Sequence, residues 1–391
     1  MPLYDFDKII NRNDTNSIKY DFSRERGMPQ GLTPLWVADM DFQTPAEVID
    51  RLVETARHGI FGYAEAKESY YKAVQGWFQR RFDFSPQPEW MVKAPGVVYS
   101  LAVAIRAFTS PGDAVVVQTP VYYPFFRMIK ENDRRVTDSS LIYKDGAYQM
   151  DFADLEKRIV QENAKMLLLC SPHNPVGRVW TKEELAELAR ICLKTRCLVV
   201  SDEIHCDFVF GRRTHHVLTT IEPALEEITV VLTAPSKTFN LAGLQCSNAV
   251  IPNPELRKRF KDEISRTGVS QLNVMGLVAA QTAYERGEDW LDQLLAYLEE
   301  SVSTTKQFFR ERLPQVRLVE PEGTYLLWLD FSSLNLTDSE LNRLVIDRAG
   351  LWLDEGVMFG QAGSGFQRVN MACPRSVLFS AWERLEKAIN G

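Results

Sequence analysis

The sequence predicts an α/β fold, in which a large domain with a mostly parallel sheet flanked by helices precedes a smaller α+β domain. Three observations carry that prediction. Through the middle of the chain, short apolar runs stop at Pro, Ser or Asp and lead into stretches of helical periodicity. The runs are almost continuously apolar, as strands buried on both faces must be. After about residue 285 the alternation stops, and a long helical stretch is followed by strands of alternating polarity.

Taken in order, residues 1–45 are rich in turns with little periodicity, and are expected to pack on the small domain or at a dimer interface. Residues 46–285 form the expected large domain. Its strands are Ala114-Val-Val-Val117, Met166-Leu-Leu-Leu169, Cys197-Leu-Val-Val200, Ile228-Thr-Val-Val-Leu232 and Asn248-Ala-Val-Ile251, for which parallel pairing is preferred. Between the second and third lies Thr181-Lys-Glu-Glu184, a capping box that opens a crossover helix with Leu185, Leu188 and Cys192 at helical spacing. Residues 286–391 form the small domain, with Trp290, Leu294 and Leu298 on its long helix and strands in Thr324–Asp330 and Phe366–Met371. The cluster Gly360-Gln-Ala-Gly-Ser-Gly365 has the wrong order and place for a dinucleotide fingerprint, and is expected to be a flexible loop.

Composition narrows the function. The chain has 391 residues, 45% hydrophobic and 25% charged, so it is neither disordered nor fibrous. Its 45 Lys and Arg face 52 Asp and Glu, and no dense basic run offers counterion release to a nucleic acid. No apolar stretch reaches the roughly 18 residues of a membrane span, and the acidic start is unlike a signal peptide. Six dispersed cysteines without a CxxC pair read as reduced, buried thiols, and a cytoplasmic location follows. The five histidines lack metal-ligand spacing, so no metal is expected.

In an open parallel sheet, ligands bind beyond the carboxyl ends of the strands. There the sequence places Ser171-Pro-His-Asn-Pro-Val-Gly177, Ser201-Asp-Glu-Ile-His205 and Ala234-Pro-Ser-Lys-Thr-Phe-Asn-Leu-Ala-Gly243. Singly, Asn174 before Pro suits a turn, Asp202 a helix cap and Lys237 a solvated surface. One ligand would use all three. A pyridine nitrogen wants a carboxylate, its phenolic oxygen a donor and its aldehyde an amine, which describes pyridoxal 5'-phosphate. Pro95-Gly-Val-Val98 precedes an apolar helical stretch, so Gly96, Val97 and Val98 can offer backbone amides to a phosphate.

Over nearly its whole length the chain resembles the fold type I pyridoxal phosphate enzymes of the aspartate aminotransferase superfamily, and within them the MalY/PatB-type cystathionine β-lyases. The resemblance rests on Pro34-Leu-Trp-Val-Ala-Asp-Met-Asp-Phe42, Phe61-Gly-Tyr63, Ser201-Asp-Glu-Ile-His205, Ser236-Lys-Thr-Phe-Asn-Leu-Ala-Gly243 and Arg368-Val-Asn-Met-Ala-Cys-Pro-Arg375. It implies the PLP-dependent transferase-like fold, with Lys237 as the Schiff-base lysine, Asp202 at the pyridine nitrogen and Asn174 at the phenolic oxygen. It further implies Tyr122 stacked on the ring, Ser236 at the phosphate and Arg368 at the substrate carboxylate. Tyr63 would reach the phosphate from a neighbouring subunit, so a homodimer with shared active sites is implied. Two positions depart from the wider superfamily: Gln245 stands where many members have a phosphate-binding Arg, and Ala234 where many have Ser. His205 replaces a Tyr common in transaminases, as in the lyase subgroup.

The implied activity is a carbon–sulfur lyase that performs α,β-elimination on cystathionine or related S-substituted cysteines, giving a thiol, pyruvate and ammonia. Two alternatives stay open: a PLP-dependent aminotransferase, which shares every step before expulsion of the β-substituent, and a PLP-binding regulatory protein acting through protein contacts.

Overall fold

Seven short strands, most of them with an apolar centre, assemble the main sheet of the computed structural model, which describes residues 4–391. They are β1 (Met91–Ala94), β2 (Ala114–Val117), β3 (Arg135–Asp138), β4 (Met166–Cys170), β5 (Leu198–Asp202), β6 (Thr229–Thr233) and β7 (Ser247–Val250), in the spatial order β1-β7-β6-β5-β4-β2-β3. Every residue of β2, β4 and β6 is buried, because helices cover both faces. Pairing is parallel from β3 through β6.

Strand β7 departs from the expected parallel arrangement and runs antiparallel to both β6 and β1. The cause is the connection. A parallel neighbour needs a crossover long enough to return to the other end of the sheet. Between Thr233 and Ser247 the chain makes only two single helical turns, Pro235–Thr238 and Ala242–Leu244, so it re-enters the sheet from the same edge. Since β1, β2, β4, β5 and β6 all finish at that edge, five chain segments meet there.

The capping box forms as expected: Thr181 Oγ1 accepts from the Glu184 amide, and the Glu184 carboxylate accepts from the Thr181 amide. It opens helix Lys182–Thr195, whose Leu185, Leu188 and Cys192 are buried. All six cysteines are free and buried. Among the described residues, no helix is long and apolar enough to cross a membrane.

A second, antiparallel sheet contains β8 (Arg317–Leu318), β9 (Leu326–Asp330), β10 (Asp354–Glu355) and β11 (Phe366–Asn370), in the order β8-β9-β11-β10. It packs with the long helix Glu288–Arg312, which buries Trp290, Leu294 and Leu298. The glycine cluster is not a loose loop. Residues Gly356–Phe359 and Gln361–Gly363 form tight turns, and a Cβ added at Gly363 would stand 2.0 Å from the Gly356 carbonyl oxygen. Glycine here permits backbone-to-backbone packing that seats Phe359 in the core.

Near the N-terminus, Thr33–Pro34 pairs in parallel with Leu351–Trp352. The chain then runs between the two sheets, held by two side-chain amides. Asn370 of β11 donates to the carbonyls of Val37 and Asp39, each at 2.6 Å. Asn240, just after β6, accepts from the Met40 amide at 3.0 Å and donates to the carbonyls of Met40 and Phe42 at 2.9 Å. Beside this clamp lies a charge cluster in which Arg12 and the fully buried Lys19 bridge Asp39 and Asp41.

Candidate active site

A cavity of about 270 Å³ opens at the carboxyl edge of β1, β4, β5 and β6, where sheet physics places ligands. Its lining includes Gly96, Val97, Val98, Tyr122, Asn174, Asp202, His205, Ser236 and Lys237. These nine positions come from five separate segments, and the sequence reading had singled out each of them. Gln245 lines it too, in a left-handed backbone conformation.

Lys237 sits in the short turn after β6, and its Nζ donates to the Ala38 carbonyl at 2.5 Å. Burial pulls its amine down from 10.5 to about 8, aided by the nearby Arg368 charge and opposed by Asp39 and Asp202. An amine in that range is neutral often enough to act as a nucleophile near physiological pH.

Asp202 ends β5 and is 3% exposed. Its Oδ1 accepts one bond, from the Ile204 amide at 3.2 Å. Burial drives the carboxyl up to about 7, against the lowering effects of that amide and of Lys237. A buried carboxylate so poorly compensated is a site for a cation.

Asn174 follows β4. Its Oδ1 accepts from Arg368 Nη1 at 3.0 Å, which fixes the amide orientation and leaves Nδ2 as the donor toward the cavity. His205 is buried, its Nδ1 is unpartnered, and burial with the charges of Lys237 and Arg368 holds it well below the ordinary imidazole range. A neutral ring results. Tyr122 stands where the chain enters helix Pro124–Glu131, with burial pushing its phenol up.

At the end of β1, Gly96 adopts φ +142, a conformation L side chains rarely take, with open space where a Cβ would point. It caps helix Val97–Phe108 without any side-chain cap bond. The first amides of that helix have no intrahelical acceptor and serve an anion well.

Arg368 lies on β11, outside the cavity lining but joined to it through Asn174. Its Nη2 donates to the Trp36 carbonyl at 2.9 Å and is ion-paired with Asp354. Its Nε is buried without a partner. Tyr63 is not at the cavity; it is 96% exposed, beside Ile60 at 73% and Phe61 at 63%.

Sequence reasoning missed Ala38, Asp354 and the two clamping amides Asn240 and Asn370. Ala38 acts through its carbonyl, which any residue supplies, so no residue-type signal exists. The amides sit inside quoted motifs, but their partners are remote in sequence.

With this geometry in view, the comparison with known proteins is direct. Residues 31–385 match the family described as Aminotransferase class I and II. The chain belongs to that family. As a member, it is 40% identical to cystathionine beta-lyase PatB of Bacillus subtilis over 98% of this chain and 100% of that one. It is 32% identical to protein MalY of Escherichia coli, over 100% of this chain and 98% of that one. Among solved structures of the family's kind, cystalysin from Treponema denticola, which contains pyridoxal 5'-phosphate, superposes with TM-score 0.96 at 39% identity, covering 99% of each chain. The PLP-bound C-S lyase from Staphylococcus hominis does so with TM-score 0.93 at 32% identity, covering 99% of this chain and 98% of that one. The resemblance and the fold class expected from the motifs are thereby borne out.

Proposed function

We propose that this family member is a pyridoxal phosphate-dependent carbon–sulfur lyase that eliminates a thiol from cystathionine or a related S-substituted cysteine, with pyruvate and ammonia as the other products. The observation that carries the reading is the convergence of Lys237, Asp202 and Asn174 on one cavity. Full-length kinship to proteins named as β-lyases supports it.

The residues present fit the cofactor. Asp202 is a buried carboxylate in need of a cation, Asn174 Nδ2 is a donor with its orientation fixed, and at the helix start the amides of Val97 and Val98 can hold an anion, with Ser236 beside them, while the Gly96 amide is held by Ser247 Oγ at 3.1 Å and Gly96 supplies the turn that opens the helix. Bound there, the cofactor supplies an electron sink for a carbanion at the substrate α-carbon. The protein's residues do the rest. Lys237 would hold the cofactor through its amine, and the same amine would move the substrate α-proton; the Ala38 carbonyl holds Nζ in reach. Asp202 would face the pyridine nitrogen and favour its protonated form, and Tyr122 would offer its ring to the cofactor's. Neutral His205, which lines the same cavity, would add no charge to the ring. Arg368, with an unpaired Nε, takes the substrate carboxylate. Gln245 brings no charge to the phosphate, so the helix terminus carries more of that task.

We also infer a homodimer. Tyr63 and its neighbours Ile60 and Phe61 form an exposed apolar stretch with no cover in one chain, as a tyrosine reaching the neighbouring site requires. A cytoplasmic location suits six unpaired buried thiols.

Pyruvate release from cystathionine without any keto acid acceptor tests the elimination. Turnover that instead requires a keto acid would replace the lyase reading by an aminotransferase one.

A further inference from the structure

Arg368 has a neighbour that a carboxylate receptor does not obviously want. Asp354 lies directly opposite it across the antiparallel strands β10 and β11, and both side chains are 3% exposed in a direct ion pair. A buried guanidinium without a counter-charge would destabilise the fold strongly, so the pair makes sense while no ligand is bound. An arriving substrate carboxylate changes the balance. Nη1 is held by Asn174, Nη2 is shared by Trp36 and Asp354, and only Nε is unengaged, so one cation then faces two anions in a buried setting.

We propose that Asp354 is a positioning residue that takes up a proton when the substrate carboxylate binds Arg368. The proton comes from solvent, and the pair changes from arginine cation with aspartate anion to arginine cation with substrate anion and a neutral carboxyl. The local charge is therefore the same before and after binding. Burial already raises the Asp354 carboxyl above its ordinary range even with Arg368 beside it. Arg368 is the charged group that acts on Asp354, and the titratable groups that feel the Asp354 charge, Glu355 next along the strand and Tyr123 at the start of helix Pro124–Glu131, carry no positive charge to hold it ionised once Arg368 is engaged. The protonated carboxyl keeps a hydrogen bond to the arginine, so the guanidinium stays aimed while its charge turns to the ligand.

This inference rests on the assignment of Arg368 as the carboxylate site, but not on elimination as the outcome. The test uses the holoenzyme and methylthiopropionate, a thioether carboxylate with no amine to react. Calorimetry in buffers of different ionisation enthalpy, near neutral pH, should report net uptake approaching one proton per site. In Asp354→Asn that uptake should vanish and the probe should bind about tenfold tighter or more, since the competing anion is gone. Absence of uptake in the wild type, uptake undiminished in Asp354→Asn, or weaker binding by that variant would overturn the proposal. Should the variant fail to fold, infrared difference spectra of the wild type decide the matter: binding without a new protonated-carboxyl band refutes it. If Arg368→Lys binds the probe as well as the wild type does, the failure lies instead in the assignment of Arg368.

Discussion

Replacing Asp202 by Asn separates what this residue does for the fold from what it does for the chemistry. The carboxyl rises from 3.8 to about 7 on burial, which corresponds to something on the order of 4 kcal/mol of differential interaction between its two protonation states. Because the folded value lies above the unfolded one, that stability is fully present below the ordinary carboxylate range. It is lost as pH climbs from about 4 toward 7. Cofactor-free protein should therefore melt at a higher temperature as the Asn variant than as wild type at pH above 7, by several degrees. Holoenzyme should behave in the opposite way. A protonated ring nitrogen beside the carboxylate recovers the energy that burial took, and Asn cannot provide it. Turnover in the variant should fall by about three decades if most of those 4 kcal/mol are expressed in the transition state. Melting curves of apo and holo protein across pH, with pyruvate release followed by a coupled dehydrogenase, measure both. A variant that turns over within tenfold of wild type, or an apoprotein that Asn destabilises, would refute the reasoning.

Lys237→Met should abolish the visible absorption band and all turnover. Because the folded amine titrates near 8, below its ordinary 10.5, wild-type apoprotein should gain stability as pH rises through that window, and the Met variant should lack the gain in thermal melts. Arg368→Lys should raise KM at least about tenfold with a smaller change in kcat, since an ammonium cannot reproduce a planar fork; equal KM would place the carboxylate elsewhere. Gly96→Ala meets open space but not its preferred backbone, so we expect cofactor affinity to drop about tenfold with the fold retained, a shift of order 1–2 kcal/mol read by equilibrium dialysis.

Much of this was legible in the sequence, and the reasons differ from place to place. The runs ending at Cys170, Asp202 and Thr233 announce themselves because strands buried on both faces have no room for polar residues until they end. The residues that follow each run could then be read as site candidates. Strands β1 and β3 were missed because Lys93 and the polar residues of Arg135–Asp138 break the apolar pattern at the sheet margins. The direction of β7 depends on the length of a connection and not on residue type. Asp354 escaped notice for a related reason: its partner Arg368 is near only through strand pairing.

The clamp on residues 37–42 places a backbone atom, not a side chain, beside the Lys237 amine. Homologous positions should therefore divide into two kinds under selection. Position 38 can drift among residues small enough to fit, since every amino acid carries the same carbonyl. Positions 240 and 370 have no such freedom, because one amide grips this segment from the connection between β6 and β7 and the other from β11. Random mutagenesis scored for pyruvate release from cystathionine would reveal that contrast: a permissive alanine held by two intolerant asparagines.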